Sequence, residues 1–421
     1  MKVTIIAPGS RGDVQPYVAL GKGLRKAGHT VGVLASQDFE ELVREHGLDF
    51  FDMGGGSMQD IAKNMQSLLE RGNFLKILKN MGATAKSLAG QAAVSGLAAC
   101  EGSDLILAGL GGLFSGLALS EKLGIPFIQA HYYPFTPTRE FPNALAPLPP
   151  GRLPAWVNRL SHIMVQQMMW QNYRAADNLA RRQVLNMAPA PFLGPFASLQ
   201  QQKQPILYGY SPQVIPPPGD WGEFIHVTGY WFLDPPSGWE APIDLVHFLQ
   251  SGPPPVYIGF GSMVNSQPGE TTTLVLDALA QAGQRGVLSA GWGGLRKQAL
   301  PDTVYQIGSI PFNWLFPQMA AVVHHGGVGT TSMGLLAGVP SVVIPFMGDQ
   351  PFWGQRVHEL GVGPEPIPLR RLTADRLAEA IHRAVTDTAM REKAARLGER
   401  IRAEDGIGRA VKVIEKSMGN K

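Results

Sequence analysis

The stretch His324-His325-Gly326-Gly327-Val328-Gly329-Thr330-Thr331 follows the apolar run Ala320–His324 and leads into a second apolar run that ends at Ala337. A short apolar run, a glycine-rich turn and a helix-length apolar run are the order expected at the end of a buried strand in a parallel α/β sheet. Small residues let the backbone approach a ligand closely, and the N–H groups and positive dipole end of a helix start attract an anion. The segment reads as a cradle for a diphosphate. Gly326, Gly327 and Gly329 provide the approach, His325 a side-chain donor, and Thr330 and Thr331 hydroxyls. A tight strand-to-helix turn capped by threonine would use the same residues; the paired histidines and a second motif downstream weigh toward the anion.

Working outward, short apolar runs bounded by Gly and Pro alternate with helix-length amphipathic segments, the pattern of a parallel sheet wrapped by crossover helices. The strand candidates of the first half are Val3–Ala7, Thr30–Ala35, Asp104–Leu110 and Pro126–Ala130. Those of the second are Phe224–Thr228, Pro255–Gly261, Gly286–Ala290, Thr303–Ile307, Ala320–His324 and Ser341–Pro345. Two doubly wound, Rossmann-like units follow, consistent with a chain of 421 residues, too long for one ordinary core. The proline-rich stretch Tyr210–Asp220 is read as the linker, giving an acceptor-binding unit over 1–215 and a donor-binding unit over 216–403. Helices are expected over Thr373–Arg402 and Gly406–Met418, and the segment 404–421 is a candidate to cross back to the first unit. Arg152–Met187 is expected to be helical and is a candidate wall of the acceptor pocket.

The bulk composition excludes several classes. The 36 basic and 33 acidic residues are scattered with no dense basic block, which argues against nucleic acid as partner. One cysteine, Cys100, excludes an internal disulfide and a cysteine-rich metal site and suits a reducing compartment, so a cytoplasmic location is expected. Val3–Ala7 is too short for a signal-peptide core, and the longest apolar tract, Leu105–Ser120, contains four glycines and reads as strand plus helix rather than as a membrane span. Arg71–Lys86 interleaves apolar residues with Lys76, Lys79 and Lys86, which suits either a solvated pocket helix or a peripheral contact with a membrane surface.

The remaining chemistry lies at the same kind of strand end. Asp349 and Gln350, in Gly348-Asp349-Gln350-Pro351-Phe352-Trp353, set a carboxylate beside an amide, a pairing suited to vicinal sugar hydroxyls, although Asp349 before a proline also suits a helix cap. Pro8-Gly9-Ser10-Arg11-Gly12-Asp13 follows the first strand and leaves Asp13 at a helix start. Such a carboxylate is ordinarily a cap; on a cleft-facing edge it is also a candidate base for an acceptor hydroxyl. Ser262, after Gly259-Phe260-Gly261, offers a second phosphate contact, and His131 ends a strand on the same edge as Asp13, within expected reach of it or of an acceptor. No Gly-x-Gly-x-x-Gly follows the first strand, and no Gly-Lys-Ser/Thr, His-Glu-x-x-His or Gly-x-Ser-x-Gly occurs, so neither a metal nor a redox cofactor is expected.

These motifs resemble those of the sterol 3-β-glucosyltransferases and their bacterial relatives in the UDP-glycosyltransferase superfamily. The resemblance rests on Gly9–Tyr17, Pro134–Pro142, Ile310–Pro317, His324–Thr331 and Gly348–Trp353, in the family's order. It implies the GT-B fold, two Rossmann-like domains facing a cleft, and inverting transfer of a hexose, glucose from UDP-glucose, to a sterol or similar apolar alcohol. It implies Asp13 as general base, His325, Gly327 and Thr330 on the donor diphosphate with Ser262 in support, and Asp349 with Gln350 on the sugar. Arg11, Gly12, His131, Phe312, Asn313 and Trp353 are further candidate contacts. The family carries His-Asp where this chain has Phe312-Asn313, so that loop's contacts do not transfer. A polyketide, phenolic or glycopeptide acceptor is the alternative within the fold, and a non-catalytic nucleotide-sugar or lipid binding protein the alternative outside it.

Overall fold

A computed structural model of the chain describes residues 1–56, 74–146, 148, 153–235, 238–260, 268–289 and 300–419. Its described residues divide into two compact units, one comprising 1–56, 74–233 and 405–419, the other lying within 234–404.

The first unit is built on strands β1 (Lys2–Ile6), β2 (Thr30–Ala35), β3 (Asp49–Asp52), β4 (Leu105–Ala108), β5 (Phe127–His131), β6 (Ile206–Tyr208) and β7 (Ile225–Val227). They form one sheet in the order β3-β2-β1-β4-β5-β6-β7, parallel at every pairing. Because strand side chains alternate, Val3, Ile5, Leu105 and Leu107 enter one core, and Ile6, Ile106 and Ala108 enter the core on the opposite face. Burial on both faces is why these strands are continuously apolar. Asp49–Asp52 and Ile206–Tyr208 are not among the expected strands: the first is an edge strand ending in charge, the second spans three residues.

Two expectations change here. The strand around Phe224–Thr228, read as the first of the second half, is β7 and pairs with β6 in the first sheet. The proline-rich stretch Tyr210–Asp220 is packed into the first unit: Tyr210, Ser211 and Val214 are fully buried, and Asp220 accepts hydrogen bonds from Thr138 Oγ1 (2.6 Å) and Arg139 N (2.9 Å). Proline supplies stiffness, but buried aromatic and aliphatic neighbours fixed by a bridging carboxylate make it part of a core. The last helix, Gly406–Gly419, lies on the helix Arg11–Lys26, with Ala410, Val411 and Ile414 in the same core as β1.

The second unit contains β8 (Val256–Gly259), β9 (Gly286–Ser289), β10 (Val304–Ile307), β11 (Ala321–His324) and β12 (Ser341–Val343), a parallel sheet in the order β10-β9-β8-β11-β12. Strand order reverses between β1 and β4 in the first sheet and between β8 and β11 in the second. Ligands of open α/β sheets bind beyond the strand ends at such points. The loop carrying Asp13 leaves β1, and the loop carrying His325 leaves β11. The segment expected as one helical region over Thr373–Arg402 is two helices, Ala374–Thr386 and Thr388–Arg402, divided at Asp387, whose carboxylate caps the second by accepting from Met390 N at 3.0 Å.

Candidate active site

Asp13 is the third residue of the helix Arg11–Lys26, whose N-cap is Ser10. Its Oδ2 accepts from Ser10 N (2.7 Å) and Ser10 Oγ (2.8 Å), the return half of a capping box. Its Oδ1 accepts from the Tyr132 hydroxyl. Gly9, at φ 131°, turns the chain into the helix, and a Cβ there would run into the Asp13 carboxylate. Half-buried Asp13 is therefore a cap and is also oriented from the far side by a tyrosine. Burial first, then the charge of Asp13, pushes the Tyr132 hydroxyl well above its ordinary range, so it stays protonated and donates.

Tyr132 is a residue that sequence reasoning missed, and His131 explains why. Strand alternation directs Ile128 and Ala130 into the core shared with the helix Arg11–Lys26, and Tyr132, two residues on, packs against the same core. His131 points to the opposite face, packing at a tilt against Phe135 and Tyr208 with its Nε2 3.2 Å from Gln129 Oε1. It does not touch Asp13. Its Nδ1 is buried without a hydrogen-bond partner, and burial lowers its pKa to about 3. A period-2 reading of the strand could have singled out Tyr132. Arg11 and Gly12 are exposed, with Arg11 Nε donating to Gln15 Oε1 at 3.2 Å.

The loop Pro134–Pro142 is held from several sides. The Tyr208 hydroxyl accepts from Thr136 N (2.7 Å) and Phe135 N (3.1 Å), and Asn158 and His162, on the helix Ala155–Gln183, reach the carbonyls of Arg139 and Phe141. That helix buries Val165, Met169 and Trp170 and leaves Trp156, Leu160, Ile163 and Met164 exposed.

In the second unit, β11 ends at His324, Gly327 is the N-cap, and a helix runs over Val328–Ala337. The cap residue has no side chain, so the first amides of the helix have no capping oxygen from it and face the loop as donors. Thr331 Oγ1 (2.9 Å) and Thr331 N (2.9 Å) both donate to Gly327 O, and Ser332 Oγ donates to Gly329 O at 2.8 Å. Thr331 is thus turned into the helix, while Thr330 is half-buried at the helix start. A Cβ on residue 327 would stand 2.5 Å from His325 Nε2, so glycine here makes room for the imidazole. His325 Nδ1 is buried without a partner, and burial lowers the ring's pKa to about 4. At neutral pH His325 is an uncharged ring with one N–H to give.

His324 is wholly buried, and its Nδ1 accepts from Gly326 N at 3.0 Å. This fixes its tautomer, with the proton on Nε2. Burial, reinforced by His325, lowers its pKa to about 3. Gly326, at φ 89°, aims its amide inward at His324, and a Cβ there would meet Val343 and Gln350. The Gly326 N–H is committed to the fold, and the amides from Val328 onward are those presented by the helix start.

Gln350 is buried, and its Oε1 accepts from Phe346 N (2.7 Å) and Met347 N (3.1 Å), tying down the loop after β12. Asp349 precedes the helix Gln350–Glu359, but its carboxylate makes no cap; Oδ2 accepts from Trp353 Nε1 at 2.8 Å. Trp353 is fully buried, so it supports Asp349 from below rather than offering its ring to a ligand. Phe312 stacks on Phe316 (4.4 Å, 14°) and meets Tyr257 edge-on, and Asn313 follows it in a one-turn helix, Phe312–Leu315. Ser262 lies outside the described residues. Among the described residues no cluster of histidine, cysteine, aspartate and glutamate is arranged to hold a metal.

Residues 3–142 match the N-terminal domain of glycosyltransferase family 28, and residues 274–414 match the C-terminal domain of erythromycin biosynthesis protein CIII-like proteins. The chain is 36% identical over 435 residues to a sterol 3-beta-glucosyltransferase of Arabidopsis thaliana, covering 99% of this chain and 68% of that protein. It is 38% identical over 443 residues to the sterol 3-beta-glucosyltransferase of Cryptococcus neoformans, again over 99% of this chain but only 27% of the fungal protein. The chain thus spans well under half the length of that fungal relative. Among solved structures, the glycotransferase of kitacinnamycin superposes with a TM-score of 0.70 at 22% identity, covering 99% of this chain and 98% of the other. SnogD from Streptomyces nogalater does so with 0.66 at 19%, over 99% of both chains. The Streptomyces glycosyltransferase SsfS6 complexed with thymidine diphosphate gives 0.63 at 20%, also over 99% of both. The two parallel-sheet units are those of the GT-B fold.

Proposed function

The chain belongs to the sterol 3-beta-glucosyltransferase family, and from that membership we propose that it is an inverting, metal-independent glycosyltransferase that moves a hexose, glucose from UDP-glucose, to the hydroxyl of a sterol or similar apolar alcohol. What supports the reading is the turn after β11: an uncapped helix start with Thr330 in its first turn and, two residues before the cap, the neutral ring of His325, donor groups suited to a diphosphate. In this reading Asp13 takes the acceptor proton, the acceptor oxygen bonds to the anomeric carbon, and the bond from that carbon to the diphosphate breaks on the opposite face, inverting its configuration. The diphosphate leaves with the electron pair, stabilised by the Val328–Thr330 amides and His325. Asp349, steadied by Trp353, binds the sugar hydroxyls, and Gln350 shapes the loop beside it. Ser262 adds a phosphate contact.

A cytoplasmic location suits the lone buried cysteine, and no helix of the described residues is long and apolar enough to cross a membrane. Peripheral contact with a membrane surface belongs to the same reading, since an apolar alcohol is delivered from a bilayer. The test is incubation with UDP-, TDP- and GDP-glucose against sterols, phenols and macrolides, following added hexose by mass. Asp13→Asn is expected to lower transfer about 10²–10⁴-fold with folding intact. Transfer at the parental rate would remove Asp13 from the role. Donor binding with neither transfer nor hydrolysis would favour a binding protein.

A further inference from the structure

Tyr17 closes the glycine-rich stretch Gly9–Tyr17 and carries no role in the proposed reaction. It lies one turn after Asp13 on the helix Arg11–Lys26, is buried in the core shared by β1 and β5, and donates from its hydroxyl to Ala130 O at 2.7 Å. Ala130 stands two residues before Tyr132, whose hydroxyl donates in return to Asp13. The helix and the end of β5 are thus joined twice, in opposite directions, by side chains one helical turn apart, about 6 Å along the axis. One bond is a pivot on which the helix start can swing; two fix both its distance and its angle. The rings complete the joint, Tyr17 meeting Tyr132 edge-on at 6.0 Å and Trp231 at a tilt at 6.3 Å.

Packing alone does not call for the hydroxyl. Phenylalanine would fill the same apolar core, and burying a hydroxyl costs desolvation that only its bond to Ala130 offsets. The chain also leaves room for it. Gly109, the residue after β4, has an extended backbone (φ −94°) that any residue adopts, yet a Cβ there would collide with the Tyr17 hydroxyl and with Ala130 O. Burial first, then the charge of Asp13, raises the Tyr17 pKa well above its ordinary value, so the hydroxyl stays protonated and donates. We propose that Tyr17, in the space left at Gly109, is a positioning residue that sets the contact between Tyr132 and Asp13. Its effect on rate rests on the reading of Asp13 as the base, whereas the contact itself needs neither donor nor acceptor.

The test combines steady-state kinetics with carbon-13 spectra of the full chain labelled at tyrosine Cζ, in which the Tyr132 signal among the nine tyrosines is the one missing from Tyr132→Phe. Tyr17→Phe is expected to lower kcat about tenfold at unchanged donor KM and to move the Tyr132 signal. Gly109→Ala, which displaces the hydroxyl without removing it, should do the same. In the Tyr132→Phe background, Tyr17→Phe should cost less than about twofold more, because the contact it sets is already gone. A residue that only stabilises the fold would lower the unfolding midpoint, leave the Tyr132 signal in place and scale kcat alike in both backgrounds. With Asp13→Asn impaired, parental kcat in Tyr17→Phe or an equal loss in both backgrounds overturns the proposal. An unmoved Tyr132 signal overturns it in any case. Either variant decides alone if the other fails to fold. Transfer at the parental rate by Asp13→Asn removes the base instead, and the Tyr132 signal then decides the positioning by itself.

Discussion

At the residue scale, Asp13 draws three hydrogen bonds from two sources: Ser10, which any helix start could supply, and Tyr132, which only the sheet brings there. Tyr132→Phe keeps the ring against the core and removes the donor that fixes Oδ1. Steady-state kinetics are expected to show kcat about tenfold lower with donor KM unchanged, because hydrogen bonds to ionised groups contribute about 1.5–3 kcal/mol and orientation of the proposed base acts on the chemical step. An equal rise in donor KM would place the effect elsewhere. His324 offers a paired test. Asn can set an amide oxygen where the histidine holds Nδ1, whereas Leu cannot. His324→Asn should retain donor affinity, and His324→Leu should raise donor KM about tenfold by releasing the Gly326 amide and the turn that follows.

At the element scale, the strand-turn-helix unit β11 to Ala337 depends on glycines for distinct reasons. Gly326 supplies a left-handed turn and packs against Val343 and Gln350, while Gly327 leaves space for the His325 ring. Gly327→Ala is therefore expected to displace the imidazole and weaken donor binding measured by calorimetry with UDP, while the helix still forms because φ at 327 is −61°. Undiminished UDP binding in that variant would separate His325 from the donor. The unit after β12 works differently: Gln350 and Asp349 look alike as sugar ligands in the sequence, yet one amide oxygen is turned onto Phe346 and Met347, and the carboxylate is held by an indole.

At the scale of the molecule, His131, His162, His324 and His325 are held neutral by burial, with pKa values lowered to about 3 or 4. A lowered histidine pKa means that the unfolded chain binds more protons below about pH 6.5, so stability is full above that value and falls as pH drops toward 4. Each such group contributes a slope of up to about 1.4 kcal/mol per pH unit within that window. Calorimetric midpoints are expected to decline through it, and His131→Phe, which keeps an aromatic ring beside Phe135 and Tyr208, should flatten the decline. An unchanged profile would mean that His131 is protonated in the fold.

The parallel α/β class is written in the order of residues, because runs buried on both faces must be continuously apolar, and so are the two glycine-rich turns at the ends of β1 and β11, because glycine and helix-start chemistry are local. Strand-end positions such as Asp13 and His325 were legible for the same reason. Which side chains meet across those turns is settled by the folded sheet. Tyr132 reaches Asp13 over 119 positions through the pairing of β1, β4 and β5. Asp220 binds a proline-rich stretch into the first unit, and the last helix returns to β1's core through Ala410 and Ile414. These contacts depend on which faces are left to be buried once the sheet has formed, and the order of residues along the chain does not carry that information.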